Sequence, residues 1–159
     1  MLKFSQLVAE GAIVASLRAL QRDGTLSELI DVLVASGAVD SSLRDELMLR
    51  LLERERKGST GFGRGVAVPH VKHKGITRMT AAIGLSARGV DFNALDKQPV
   101  HSIVLLVSPE DRPEEHLHAM EVIFKNLSKE TFRRMLRQAP DAESVRQLLV
   151  DADHHHLPT

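Results

Sequence analysis

The chain has 159 residues, a length typical of one globular domain with its own core. Its 21 lysines and arginines balance 21 aspartates and glutamates, and it has five phenylalanines but no tryptophan or tyrosine; both features argue against a nucleic-acid surface built on bulk charge or base stacking. The absence of cysteine excludes disulfides, thiolate catalysis and cysteine-based zinc sites, and a cytoplasmic protein is expected.

Neither a signal peptide nor a membrane span is expected from the sequence. Glu10 interrupts the short hydrophobic run at the start, so no signal peptide is expected, and no stretch of about 18 apolar residues predicts a membrane span. Residues 152–159 include three histidines and are expected to form a flexible tail. The predicted domain therefore comprises residues 1–151.

The first third of the chain is predicted to contain one strand and two helices. The apolar run from Ala12 to Ser16 predicts the strand. Thr25 and Glu28 have the spacing of a capping box, which predicts the start of the first helix. The second helix is predicted from about Ser42 to Lys57, where a glycine follows.

From residue 58 onward, short apolar runs are separated by glycines. They predict three strands, at Val66 to Val68, Met79 to Leu85 and Ile103 to Val107. Three helices are predicted after them, at Asp111 to about Leu127, Glu130 to Gln138 and Asp141 to Val150. Because helices flank the strands in the sequence, we expect an α/β fold in which helices cover both faces of a sheet.

The stretch GFGRGVAVPHVKHKG, residues 61–75, places His70 after a short apolar strand and a proline. Gly61, Gly63 and Gly65 permit a tight turn whose exposed backbone N–H groups are suited to an anion. The stretch matches neither a Walker A loop nor a dinucleotide-binding fingerprint. On these residues alone, an ordinary turn histidine and a functional histidine are about equally favoured at position 70.

His116 lies at the head of the apolar stripe of the predicted helix near Asp111, and His118 lies about 200° further round, on the solvated face. A neutral imidazole near a helix N-terminus can donate a hydrogen bond to phosphate. The spacing alone favours the alternative, a half-buried His116 that bonds a nearby carbonyl. The two histidines do not form a metal-binding pair.

Other candidate residues carry weaker signals. Arg54 lies just before the glycine loop, where it can reach an anion or, more commonly, pair with a neighbouring glutamate. His70 and His73 are possible zinc ligands, but no HExxH motif supports a zinc site and no GxSxG motif supports a serine hydrolase. His101 follows a proline at the start of a strand and is expected to be structural.

Three segments together resemble a known family: LLERERKGSTGFGRGVAVPH, VDFNALDKQPVHSIVLLVSP and EEHLHAMEVIFKNL. They are similar to the mannitol/fructose-type enzyme IIA domain of the bacterial phosphoenolpyruvate phosphotransferase system, and within it to the nitrogen-regulatory branch. The resemblance extends roughly from Ala12 to Asp151. It implies a single α/β domain of three layers, in which a central mixed β-sheet is flanked by helices.

The resemblance also implies a phosphoryl-transfer site. His70 would accept a phosphoryl group from the carrier HPr or its nitrogen-branch counterpart, His116 would help to hold the group, and Arg54 would add positive charge. Thr60 would lie beside the site, and backbone N–H groups of the glycine loop at Gly61 and Gly63 would bind phosphoryl oxygens. No metal or organic cofactor is implied.

The partners implied by the resemblance are the HPr-like donor and either regulated protein targets or an enzyme IIB, with no nucleic acid and no membrane insertion. Val71 replaces a glycine that often follows the family's histidine, Lys72 and His73 stand beside it, and Arg64 replaces a small polar residue. Two alternatives therefore stay open: an enzyme IIA of a fructose- or mannitol-type transporter, and a binding module that has lost phosphotransfer. Neither the branch nor the oligomeric state follows from the sequence.

Overall fold

A six-stranded mixed sheet lies between two layers of helices in the computed structural model, which describes residues 2–157. The elements in chain order are α1 (Phe4–Leu7), β1 (Val8–Val14), α2 (Arg22–Ala35), a 3₁₀ turn (Ser41–Leu43), α3 (Arg44–Lys57), β2 (Gly61–Gly63), β3 (Val66–Ala67), β4 (His70–His73), β5 (Thr80–Val90), β6 (Val100–Pro109), α4 (Pro113–Leu127), α5 (Glu130–Gln138) and α6 (Ala142–Asp153). No helix in this part of the chain is long and apolar enough to cross a membrane.

Strand β6 organises the sheet. The strand order is β1-β5-β6-β3-β2, and β4 also pairs with β6, beyond the end of β3. β6 is antiparallel to β5 and parallel to both β3 and β4. Nine of its ten residues are buried, as expected of a continuous apolar strand that is covered on both faces. β6 is therefore a central strand, with β5 on one side and β3 and β4 on the other.

Each face of the sheet has its own hydrophobic core. α2 and α3 cover one face, where Leu26, Ile30 and Leu47 are fully buried. α1, α4, α5 and α6 cover the other face, around Ile123 and Phe132. The mixed sheet between helical layers confirms the predicted three-layer α/β fold.

The first predicted strand and helix start were both placed wrongly. β1 begins at Val8, and α2 begins at Arg22, three residues before the predicted cap. The Thr25 hydroxyl donates to the Gln21 carbonyl within the helix instead of capping it. The carboxylate of Glu28 accepts from backbone N–H groups of the preceding loop, at Arg18 and Ala19. Glu28 therefore binds the preceding loop and does not form the predicted capping box.

Other boundaries differ by a few residues. Ser42 lies in the 3₁₀ turn, whose first residues are capped by the Asp40 carboxylate at 2.9 Å from the Ser42 N–H, and α3 follows it. β5 extends to Val90, five residues beyond its predicted end. α4 starts at Pro113 and not at Asp111, and α5 has its predicted bounds. α6 extends to Asp153, and Met1, Pro158 and Thr159, the last two within the expected tail, lie outside the described residues.

Candidate functional site

His70 is the first residue of β4, where that strand begins to pair with β6. The sequence predicted that the strand before His70 ends at Val68, but β3 ends at Ala67 and a break of two residues separates it from β4. Proline has no backbone N–H, so Pro69 cannot donate to a strand ladder. Its carbonyl accepts from Leu106 N, and His70 itself pairs with Leu106. The break between β3 and β4 thus ends directly before His70, whose imidazole is half-buried.

A hydrogen bond of the His70 ring shows which of its nitrogens has an available lone pair. Nδ1 lies 2.9 Å from the Val68 carbonyl oxygen. A carbonyl can only accept, so Nδ1 carries the proton and Nε2 keeps its lone pair in the neutral ring. Burial lowers the pKa of His70, the Val68 hydrogen bond opposes this, and the positive charge of Arg54 lowers the pKa further. His70 is therefore neutral at pH 7.

His116 faces His70 from α4. It is the fourth residue of that helix and only 8% exposed, and its ring centroid lies 5.5 Å from that of His70. Its Nδ1 is 2.7 Å from Ser108 Oγ, near the end of β6. Burial, followed by the charges of His70 and Lys72, lowers the pKa of His116 to about 4. As the helical spacing predicted, His116 is buried and His118 exposed.

The alternation of side chains along β4 separates the residues around His70. Lys72 is exposed and shares a face with His70, and its positive charge lowers the pKa of both imidazoles. Val71 points to the opposite face, where it is buried in the core formed with α2 and α3. The valine in place of the family's glycine therefore packs away from the imidazole of His70.

His73, also on the far face of β4, connects this strand to α3. It is 3% exposed, and its Nδ1 accepts from the Gly75 N–H at 2.8 Å. Its Nε2 lies 3.0 Å from Glu46 Oε2, at an angle outside hydrogen-bond geometry. The side chain of His73 therefore points away from the imidazoles of His70 and His116 (below, the paired imidazoles), and its contacts hold β4 next to α3.

The end of α3 connects to the segment before His70 through a buried carboxylate. Glu55 is 4% exposed and accepts hydrogen bonds from the backbone N–H of Thr60, at 3.1 Å, and from its hydroxyl. The Thr60 carbonyl in turn accepts from Val68 N at 3.1 Å. Arg54, in the last turn of α3, is exposed, and its Nη1 donates to the Gly58 carbonyl at 2.7 Å instead of pairing with a neighbouring glutamate.

A family model described as "Phosphoenolpyruvate-dependent sugar phosphotransferase system, EIIA 2" matches residues 6–152, nearly the whole chain. The chain belongs to this family. A phosphotransferase-system fructose-specific EIIA component of Haloferax volcanii is 32% identical over 130 residues, 82% of this chain and 83% of that protein. A nitrogen regulatory protein of Pseudomonas aeruginosa is 40% identical over 104 residues, 65% of this chain and 68% of that protein.

A solved structure supports the same assignment. The crystal structure of nitrogen regulatory protein IIA-Ntr from Neisseria meningitidis matches with a TM-score of 0.81 and 29% sequence identity, over 91% of this chain and 97% of that one. The resemblance predicted from the sequence is thereby confirmed. EIIA relatives named for nitrogen regulation and for fructose both match.

The two glycines predicted to bind phosphate lie in β2, which pairs with β3 just before His70. Gly61 and Gly63 pair with Ala67 and Val66 in a hairpin of β2 and β3. On β6, Val66 pairs with Ser102 and Ala67 with Ile103, four and three residues before Leu106, the partner of His70, which corresponds to about 13 Å and about 10 Å along the strand. Gly61 is in close contact with another loop, because a Cβ there would lie 2.9 Å from Ala94 Cβ. A phosphate role for both glycines stays a prediction.

Sequence reasoning missed Ser108 and Glu55, both of which contact predicted site residues. Ser108 is fully buried and lies next to His116, and Glu55 holds Thr60. The available signal for Ser108 was a hydroxyl directly after the apolar run from Ile103 to Val107. Within residues 2–157 no group of three histidine, aspartate or glutamate side chains has the arrangement of a metal site.

Proposed function

We propose that this EIIA-family protein is a cytoplasmic phosphocarrier that accepts a phosphoryl group on Nε2 of His70 from an HPr-like phosphohistidine carrier, and that it regulates protein targets according to its phosphorylation state. The observation that carries this proposal is that two neutral imidazoles, the half-buried His70 and the buried His116, lie 5.5 Å apart at the junction of β4, β6 and α4. An unprotonated nitrogen is the requirement for nucleophilic attack at phosphorus.

Transfer exchanges one phosphorus–nitrogen bond for another. The Nε2 lone pair of His70 attacks the phosphorus in line, and the bond to the donor's imidazole breaks with its electron pair retained by the donor nitrogen. The ring proton of His70 stays on Nδ1, which donates to the Val68 carbonyl oxygen 2.9 Å away. This hydrogen bond stabilises the positive charge that develops on the ring as Nε2 bonds to phosphorus.

The surrounding groups stabilise the transferred group by position and charge. In the proposed arrangement, the Ser108 hydroxyl donates to Nδ1 of His116, so that Nε2 of His116 carries a proton and donates to a phosphoryl oxygen. Lys72 adds a charge on the same face, and Arg54 adds one from the end of α3 after release of the Gly58 carbonyl. A donor that is already aimed at the phosphoryl oxygens, as Nε2 of His116 is in this arrangement, lowers the barrier to phosphoryl transfer.

The nitrogen-regulatory branch is our first choice, because the relatives include a nitrogen regulatory protein at 40% identity and a IIA-Ntr structure. The runner-up is an EIIA component that passes the phosphoryl group to an enzyme IIB of a sugar transporter. The Haloferax volcanii relative, named for fructose, favours this second function. The phosphotransfer-inactive alternative is disfavoured because Val71 packs away from His70.

Labelling from radioactive phosphoenolpyruvate through enzyme I and an HPr-like carrier tests the proposal. We expect a label that is lost in acid, survives in base, and is absent in His70→Ala. His118→Ala is the matched control, since His118 is exposed on the same helix as His116, and it should be labelled like the wild type. An unlabelled wild type beside a competent carrier, or a labelled His70→Ala, would contradict the proposal.

A further inference from the structure

An arginine-rich groove of about 500 Å³ opens at the end of the sheet opposite to the paired imidazoles. It is formed by α5, the turn between β2 and β3, and the first residues of β6. Four arginines line it, Arg64, Arg133, Arg134 and Arg137, together with Glu130 and His101. Ser102, also in its wall, lies six residues from Ser108 along β6, about 20 Å away. The groove is therefore distinct from the proposed phosphoryl-transfer site.

The groove concentrates positive charge on a chain that is neutral overall. Its four arginines and one glutamate give a local charge of +3, against a net charge of +0 for the whole sequence. Within residues 2–157, Arg64, Arg134 and Arg137 make no ion pair and no side-chain hydrogen bond, and all three are exposed. Arg133 is occupied, because its Nη1 donates to the Leu127 carbonyl at 2.9 Å.

The turn that presents Arg64 is held in an unusual backbone conformation. Arg64 has a φ of 60°, between Gly63 at 110° and Gly65 at 77°. The Arg64 N–H donates to Asp96 Oδ2 at 3.2 Å, which fixes the turn from the opposite loop. A non-glycine residue held at positive φ by its surroundings is a frequent feature of ligand-contacting segments.

The spacing of the free guanidinium groups indicates what they would bind. Arg134 and Arg137 are three residues apart on α5, which places their Cβ atoms about 5–6 Å from each other. Each guanidinium is a permanently charged, planar fork that pairs with phosphate oxygens in bidentate fashion. Two such forks on one turn, with Arg64 across the groove, match two adjacent phosphoryl groups.

We propose that this groove is a binding site for a small molecule that carries a diphosphate group. Its volume suits a single nucleotide-sized molecule, and Val66 and Ala87 supply an apolar part of the wall. A nucleic acid would need a longer positive surface than this neutral chain provides. The proposal does not depend on phosphoryl transfer at His70.

Calorimetric titration with inorganic pyrophosphate and with ADP, at about 0.15 M salt to screen long-range attraction, tests the proposal. We expect saturable one-to-one binding of both probes, and weaker binding of AMP, which has one phosphate. Arg134→Ala/Arg137→Ala should weaken binding about tenfold or more, and Arg134→Lys/Arg137→Lys, which keeps the charge, should weaken it less. Arg78→Ala, an exposed arginine outside the groove, should bind like the wild type.

Three results would overturn the proposal: no saturable binding of either probe, undiminished binding in the alanine pair, or binding of single-stranded RNA alone. Both substituted side chains are exposed, and Arg133, which caps α4, is left in place, so the pair is expected to fold. Circular dichroism of the double alanine variant, and phosphorylation of its His70, check independently that the variant folds. Loss of pyrophosphate binding with His70 labelling unchanged would separate the two sites.

Discussion

The two ends of β6 carry the two sites proposed above for phosphate, and the side chains at these ends differ in charge and burial. At the Leu106–Pro109 end, His70 is half-buried and His116 is buried, and burial lowers the pKa of both rings. At the Val100–Ser102 end, Arg134 and Arg137 are exposed and permanently charged. One end thus holds neutral nitrogen bases, and the other holds fixed cations.

This difference is the one expected between a site that transfers a phosphoryl group and a site that only binds one. A nucleophile must keep a lone pair at neutral pH, which a buried imidazole does and a guanidinium does not. Guanidinium groups bind phosphate oxygens strongly and have no lone pair with which to attack phosphorus. A protein that uses both can accept phosphate covalently at one end and bind a phosphorylated ligand reversibly at the other.

After the loss of His70 itself, the largest expected effect comes from removing the imidazole of His116. In His116→Ala, the phosphoryl group on His70 loses the donor proposed to contact its oxygens, and we expect transfer from the carrier to slow by about a hundredfold. The phosphohistidine should also hydrolyse faster. Rapid-quench labelling and chase experiments measure both quantities, with His118→Ala as the control. If both quantities equal those of the wild type, His116 has no role in transfer.

The neutral state of His116 gives a second test, on stability. Its pKa is 6.5 in an unfolded chain and about 4 in the folded protein, so between these values the unfolded chain binds a proton that the folded protein does not. Stability therefore falls as the pH drops below about 6.5, by about 2 kcal/mol from this residue between pH 7 and pH 5.

Urea unfolding at the two pH values checks this prediction. His116→Gln has no titrating ring, so its loss of stability between pH 7 and pH 5 should be smaller than that of the wild type by about 2 kcal/mol. The double alanine variant at Arg134 and Arg137 is the control from the opposite end of β6, and it should keep the wild-type dependence. An identical dependence in His116→Gln and the wild type would show that His116 is not held neutral.

The fold and part of the site were predictable because local periodicity determines them. The apolar run of β6 and the bounds of α5 follow from residues adjacent in sequence, and so does the buried position of His116. The capping-box prediction at Glu28 was wrong because its carboxylate has two sets of backbone donors within reach, and only the packed loop decides between them.

The contacts that complete the site could not be predicted in the same way. β4 exists because His70 to His73 pair with β6, more than 30 residues later in the chain. The tautomer of His70 depends on the carbonyl direction at a break between two strands. The contact between Ser108 and His116 joins a strand to the following helix, and the residues alone give no sign that the hydroxyl meets the ring.

That contact leads to the smallest of the expected effects. Ser108 is fully buried, and its Oγ lies 2.7 Å from Nδ1 of His116, so it acts on transfer only through the orientation and tautomer of that ring. Ser108→Ala removes one hydrogen bond, and we expect transfer to His70 to slow by about tenfold, less than in His116→Ala.

Nitrogen NMR of His116 separates this positioning role from a loss of packing. In the wild type, Nε2 should carry the proton, and in Ser108→Ala the ring should populate both tautomers. Ser108→Thr keeps the hydroxyl and should restore both the tautomer and most of the rate. An alanine variant that transfers slowly while His116 keeps its wild-type tautomer would assign the defect to packing, because a ring already in the donating form does not need the hydroxyl.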